Sequence, residues 1–183
     1  MEALDAFATC EGKRIVSASV KKGGMVEWSD LFEGYRIGCE LRIEFEDGSV
    51  VSIWTTPHVF PVNDSPFPFE ASVIDAVFYA DPHTDNAQDN FEIAPELQHR
   101  IAGRQLHSVS VLVKRDGFRA IEEQETILSP IFIVDIGLRL DTDKGPIELI
   151  TYDSAVLDSW LGIRALTISS TGQSEASLPT PVN

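Results

Sequence analysis

Four carboxylates close together have the spacing of metal ligands. Asp81, Asp85, Asp89 and Glu92 occupy positions 1, 5, 9 and 12 of a twelve-residue stretch, and Ala87 at position 7 offers a carbonyl. Oxygen donors at those positions are the layout of a calcium loop. The remaining positions depart from it: His83 holds position 3, Asn86 holds position 6 where the sharp turn takes glycine, and Gln88 holds position 8. The flanks are not two amphipathic helices, and Pro95 follows closely. The stretch reads as a solvated acidic loop, and neither a metal nor another cofactor is expected.

Nucleophilic and acid–base chemistry has no anchor either. There is no GxSxG elbow, no Walker loop, no GxGxxG after a strand and no HExxH. His58, His83 and Asp85 would serve hydrolysis or metal binding only if the chain between them folded back on itself. His99 falls on a short helix, and His107 falls on a strand as a solvent-edge residue. Asp141 and Asp143 belong to a hairpin turn, whose chemistry already explains them. Cys10 and Cys39 lack metal or redox spacing and read as reduced thiols. No catalytic residue is assigned.

Recognition chemistry is better represented. From Pro57 to Phe69, prolines alternate with Phe60, Phe67 and Phe69, which gives a stiff, extended backbone presenting large rings. Such a segment loses little entropy on binding. The 57 residues between Arg42 and Arg100 contain 11 acids and no Lys or Arg, in a chain of formal charge -15. That balance argues against nucleic acid and anionic membrane and favours a basic protein partner. The candidate partner-binding residues are Asp64, Phe67, Phe69, Asp81, Asp85 and Asp89. The rings would act as buried anchors, and the carboxylates would steer and form charge-assisted hydrogen bonds. The function expected is a small acidic, non-enzymatic interaction protein, most concretely an immunity or antitoxin-type inhibitor of a nucleic-acid-directed toxin. Two alternatives stand beside it. One is a small-molecule or metal-dependent β-fold binder or enzyme with residues 57–94 as a lid. The other is a structural subunit that assembles through strand edges.

The elements that would position these residues are mostly strands. Ile15 to Val20 and Leu41 to Glu46 alternate apolar and polar side chains, and Gly or Asp-Gly turns at Gly23, Asp47-Gly48, Asp116-Gly117 and Lys144-Gly145 punctuate them. The pattern recurs. Gly12 to Val20 matches Gly103 to Val111 with four identities in nine, Leu41 to Gly48 matches Leu138 to Gly145, and Ile53 then matches Ile150. The second copy holds six extra residues between Val111 and Leu138. Expected strands are 14–21, 25–29, 36–46 and 49–56 in copy one and 105–114, 118–123, 131–141 and 147–153 in copy two. The apolar run Val73 to Ala80 reads as a further buried strand. A short helix precedes each copy, with Pro95 in the first turn and Gly103 as the cap of the second, and a third helix is expected from Ser154 to Leu161.

The fold class expected is mainly β: two tandem repeats of about four antiparallel strands, packed as a pseudo-twofold sandwich or open barrel with short helices. Repeat one spans 1–56, an acidic linker 57–94, repeat two 95–169 and a flexible tail 170–183. Met1 to Thr9 has no basic residue, and no apolar run approaches the ~20 residues of a membrane span, so the cytoplasm is expected.

Overall fold

Alternating polarity does drive most of this chain into strands. The computed structural model describes residues 2–30, 33–60, 69–81, 90–116, 119–122, 125–128, 132–153 and 159–166. The first half contains α1 (Glu2–Ala8), β1 (Ile15–Lys21), β2 (Val26–Ser29), β3 (Gly34–Ile37), β4 (Leu41–Phe45), β5 (Val50–Phe60) and β6 (Phe69–Tyr79). After β7 (Phe91–Ile93) the second half contains α2 (Pro95–Ile101), β8 (Leu106–Asp116), β9 (Arg119–Glu122), β10 (Glu125–Leu128), β11 (Phe132–Thr142), β12 (Ile147–Asp153) and β13 (Ser159–Ala165). Two antiparallel sheets result, ordered β6-β5-β4-β1-β7 and β2-β3-β13-β12-β11-β8, with β9 and β10 as a separate hairpin. The architecture is a two-sheet sandwich, not a closed barrel. Phe7, Ile15, Ile43, Phe45, Leu106 and Leu140 are fully buried in one core to which both sheets and both helices contribute.

The order helix, strand, hairpin, strand, strand, strand occurs twice, and β1-β4-β5-β6 runs in the same sheet order as β8-β11-β12-β13. Equivalent positions of the two halves meet at an antiparallel bridge between Arg14 and Gln105. The Gly12 N–H donates to the Leu106 carbonyl at 2.7 Å, and the Gly103 N–H donates to the Ile15 carbonyl at 2.7 Å. The Arg14 guanidinium reaches the Gly103 carbonyl at 2.7 Å, and the Gln105 amide reaches the Gly12 carbonyl at 2.8 Å. Gly12 and Gly103 take φ of 83° and 76°, which lets each chain leave its helix and turn sharply into its strand.

Several expectations require correction. The segment expected as a helix from Ser154 to Leu161 is outside the described residues up to 158 and then begins β13. Leu161 and Ile163 alternate with Trp160, Gly162 and Arg164, a period of two that buries the first pair between β12 and β3. The single strand expected over 36–46 breaks at Gly38 to Glu40, so β3 joins one sheet and β4 the other. The strand expected to end at 56 continues to Phe60 and pairs antiparallel with Phe69–Tyr79, drawing Pro57 to Phe60 into the sheet. Strict alternation along β1 also fails. A bulge at Val16 puts Ile15 on the same face as Ala18 and Val20, and the counterpart bulge falls at His107. Finally, Leu41 pairs with Ile53 and Leu138 with Leu149, so the structural counterpart of Ile53 is Leu149 and not Ile150.

Candidate partner-binding face

Cross-strand pairing places side chains before any contact is considered, because directly opposed residues share a face. On the outer face of the five-stranded sheet one row holds Ser19, Arg42, Ser52 and Val77, and the next holds Ser17, Glu44, Val50 and Tyr79. On the far side of the first row, Trp54 stands opposite Asp75. At the β7 edge, Phe91 is opposite Lys21 and Ile93 opposite Ser19.

Arg42 is the centre of this face. The alternation of β4 predicts an exposed, charged residue, yet Arg42 is only 7% exposed. Its guanidinium carbon lies 3.7 Å from the centroid of the Phe91 ring and 5.9 Å from that of Tyr79, so the cation is covered by π faces. Glu40 lies 3.7 Å from Arg42 Nε. Around this stack Val77 and Ile93 are exposed, at 38% and 57%. Glu44 accepts a 2.8 Å hydrogen bond from Ser17, and Asp81 is exposed just beyond β6. The arrangement is an aromatic and aliphatic surface with a carboxylate rim.

The charge is divided between the sheets. The stretch without Lys or Arg supplies the end of β4 and all of β5, β6 and β7. On the six-stranded sheet Glu148 lies between Arg139 and Arg164, and Arg36 meets Glu27 at 2.8 Å.

Of the residues assigned from sequence, Asp64, Phe67, Asp85 and Asp89 lie outside the described residues. Phe69 opens β6 opposite Phe60, whereas Asp81 follows the other end of that strand. An extended run of this length holds the two ~30 Å or more apart, at opposite ends of β6. His58 is on β5 opposite Ala71, while His83 is outside the described residues. Among the described residues no cluster of three or more His, Cys, Asp or Glu side chains is placed to hold a metal ion. Sequence reasoning missed Phe91, Tyr79 and Arg42. Only the strand pairing, which is nonlocal, brings Phe91 over Arg42.

One further cluster resembles catalytic machinery. Lys13 Nζ lies 2.8 Å from Asp47 and donates to Ser49 Oγ at 3.2 Å, and Ser49 Oγ donates to Asp47 at 2.6 Å. The hydrogen bond from Lys13, followed by that from Ser49, holds the Asp47 carboxyl down at about 2. Lys13 thus serves as a donor to both Asp47 and Ser49. Its counterpart Arg104 does the same structural work in the other half, donating to the carbonyls of Lys144, Gly145 and Leu166 at 3.0, 2.9 and 3.1 Å. Each cation fastens the turn between two strands. Cys10 is pushed up to about 11 by burial, which leaves no thiolate at neutral pH.

Comparison with protein-family models, curated proteins and solved structures gave no match for this chain. Among the described residues no helix is long and apolar enough to cross a membrane.

Proposed function

We propose that this chain is a non-enzymatic interaction protein that binds a basic protein through the outer face of its five-stranded sheet. Its most concrete form is an immunity or antitoxin-type inhibitor that acts in the cytoplasm by filling the basic cleft of a nucleic-acid-directed toxin. One observation carries the reading: the 57 residues without Lys or Arg build three of the five strands of that sheet, around a core patch of Phe91, Tyr79, Val77 and Ile93. A predominantly negative field speeds encounter, and the apolar centre supplies the contact that survives screening. The two halves are read as an internal duplication, the first of which has become the binding half.

The test is capture from a lysate of the source cell with the chain as bait, washed at low and then high salt. A basic protein retained by the wild-type chain, and lost with the paired substitutions Glu44→Lys and Asp75→Lys, supports the reading. Capture that ignores these substitutions and salt, or no basic partner at all, overturns it.

A further inference from the structure

A strand at the edge of a sheet presents unpaired peptide groups, and natural folds cover or blunt them. The two halves differ in how they do so. On β1 the outer edge is filled: Ser19, Val20 and Lys21 pair with Ile93, Glu92 and Phe91 of β7. Flanking this ladder, the Ala94 N–H donates to the Ala18 carbonyl at 3.1 Å and the Lys22 N–H to the Asn90 carbonyl at 2.8 Å. The equivalent positions on β8 run from Val109 to Val113, and among the described residues no strand lies beside them.

The effect is visible in two equivalent valines. Val20 sits opposite Leu41 and Val111 opposite Leu138, both on the core side of their sheets, yet Val20 is 3% exposed and Val111 39%. Among the described residues, the neighbour that covers Val20 has no counterpart over Val111. One outward group on β8 is satisfied, the Val109 N–H by Glu11 at 3.3 Å, as the Ala18 N–H is by Gln98 at 2.9 Å.

The other outer strands of the two large sheets carry their own protection. β2 has four residues including Glu27, β7 has three including Glu92, and β6 carries Asp75 with α1 packed against it. From Ser108 to Val113 β8 has no charge, no proline and no glycine. It is also self-complementary. Antiparallel to itself about Val111, it sets Val111 against Val111 and Val109 against Val113.

We propose that β8 pairs antiparallel with β8 of a second copy about a twofold axis at Val111, which joins two six-stranded sheets edge to edge. The contact is isologous and therefore closes as a dimer. It lies on the six-stranded sheet, so the acidic outer face of the five-stranded sheet stays available.

Light scattering at several concentrations should give a mass approaching twice the 20.2 kDa of the chain. Val111→Lys sets like charges directly opposite each other and should raise the dimer dissociation constant about tenfold or more. In a Cys39→Ser background, Val111→Cys should give a covalent dimer on mild oxidation, since opposed Cα atoms ~4.5–5.5 Å apart are within disulfide reach. Ser110→Cys, on the other face and off the axis, should give none. A chain that is monomeric at every concentration overturns the proposal, as does a dimer indifferent to Val111→Lys. If Val111→Lys fails to fold, the two cysteine variants decide: no covalent dimer from Val111→Cys, or equal amounts from both, overturns it.

Discussion

Asp47 shows how a residue with the look of chemistry can be a fastener. Its carboxyl is held at about 2, below the ordinary 3.8, first by the hydrogen bond from Lys13. A carboxyl depressed in the folded state contributes stability above its unfolded pKa, and that contribution is lost as the pH falls through the folded value. The side chain is 47% exposed, so solvent screening limits the gain to ~0.5–1 kcal/mol. Asp47→Asn should therefore destabilise the chain by about that amount at pH 7 in urea titrations, and the difference from wild type should shrink between pH 4 and pH 2. A difference that persists at pH 2 would show that the role is not electrostatic. The Asp47-Gly48 turn itself was readable from sequence, because Asp-Gly has a local signature. The Lys13 partner was not, since it arrives from the α1–β1 connection, 34 positions away.

Bulges and junctions, more than the strands themselves, set how the elements meet. β1 bulges at Val16, and Gln98 of α2 reads that bulge from both sides: its Oε1 accepts from the Ala18 N–H at 2.9 Å, and its Nε2 donates to the Val16 carbonyl at 2.9 Å. Gln98 thus substitutes for a strand neighbour and holds α2 on β1. Gln98→Ala leaves the Ala18 N–H without its acceptor and should cost ~1–3 kcal/mol in chemical denaturation. An effect under ~0.3 kcal/mol would mean that water replaces the amide without loss. Strand existence was largely readable here, from period-two patterning and turn glycines, and so was α2 with Pro95 at its start and Gly103 past its end. Sheet membership was not. β3 and β4 are continuous in polarity pattern, and only the packing of opposite halves sends one to each sheet. β13 failed for a related reason: the apolar spacing around Leu157 to Leu161 imitates a helix, and pairing with β12 overrides it.

The two halves are interlocked in a way no reading of tandem repeats would suggest. α1 packs against β8 and α2 against β1, so each helix serves the other half's first strand. The hairpin β2–β3 leaves its own sheet and pairs with β13, through Tyr35 to Ile163, Arg36 to Gly162 and Ile37 to Leu161. Arg100 of α2 in turn lies 5.0 Å from the Trp28 ring centroid and 5.4 Å from that of Tyr35. Every one of these contacts is nonlocal, and each would be broken if one half opened alone. The halves should therefore unfold together. Tryptophans report on both: Trp28 and Trp54 belong to the first half and Trp160 to the second. Urea unfolding followed by tryptophan fluorescence and by far-ultraviolet circular dichroism should give one coincident transition. With Trp28 and Trp54 replaced by Phe, the remaining Trp160 signal should keep the same midpoint as the circular dichroism of that variant. Two separated midpoints would show that each half has a core of its own, and would return the molecule to a pair of independent repeats joined by a linker.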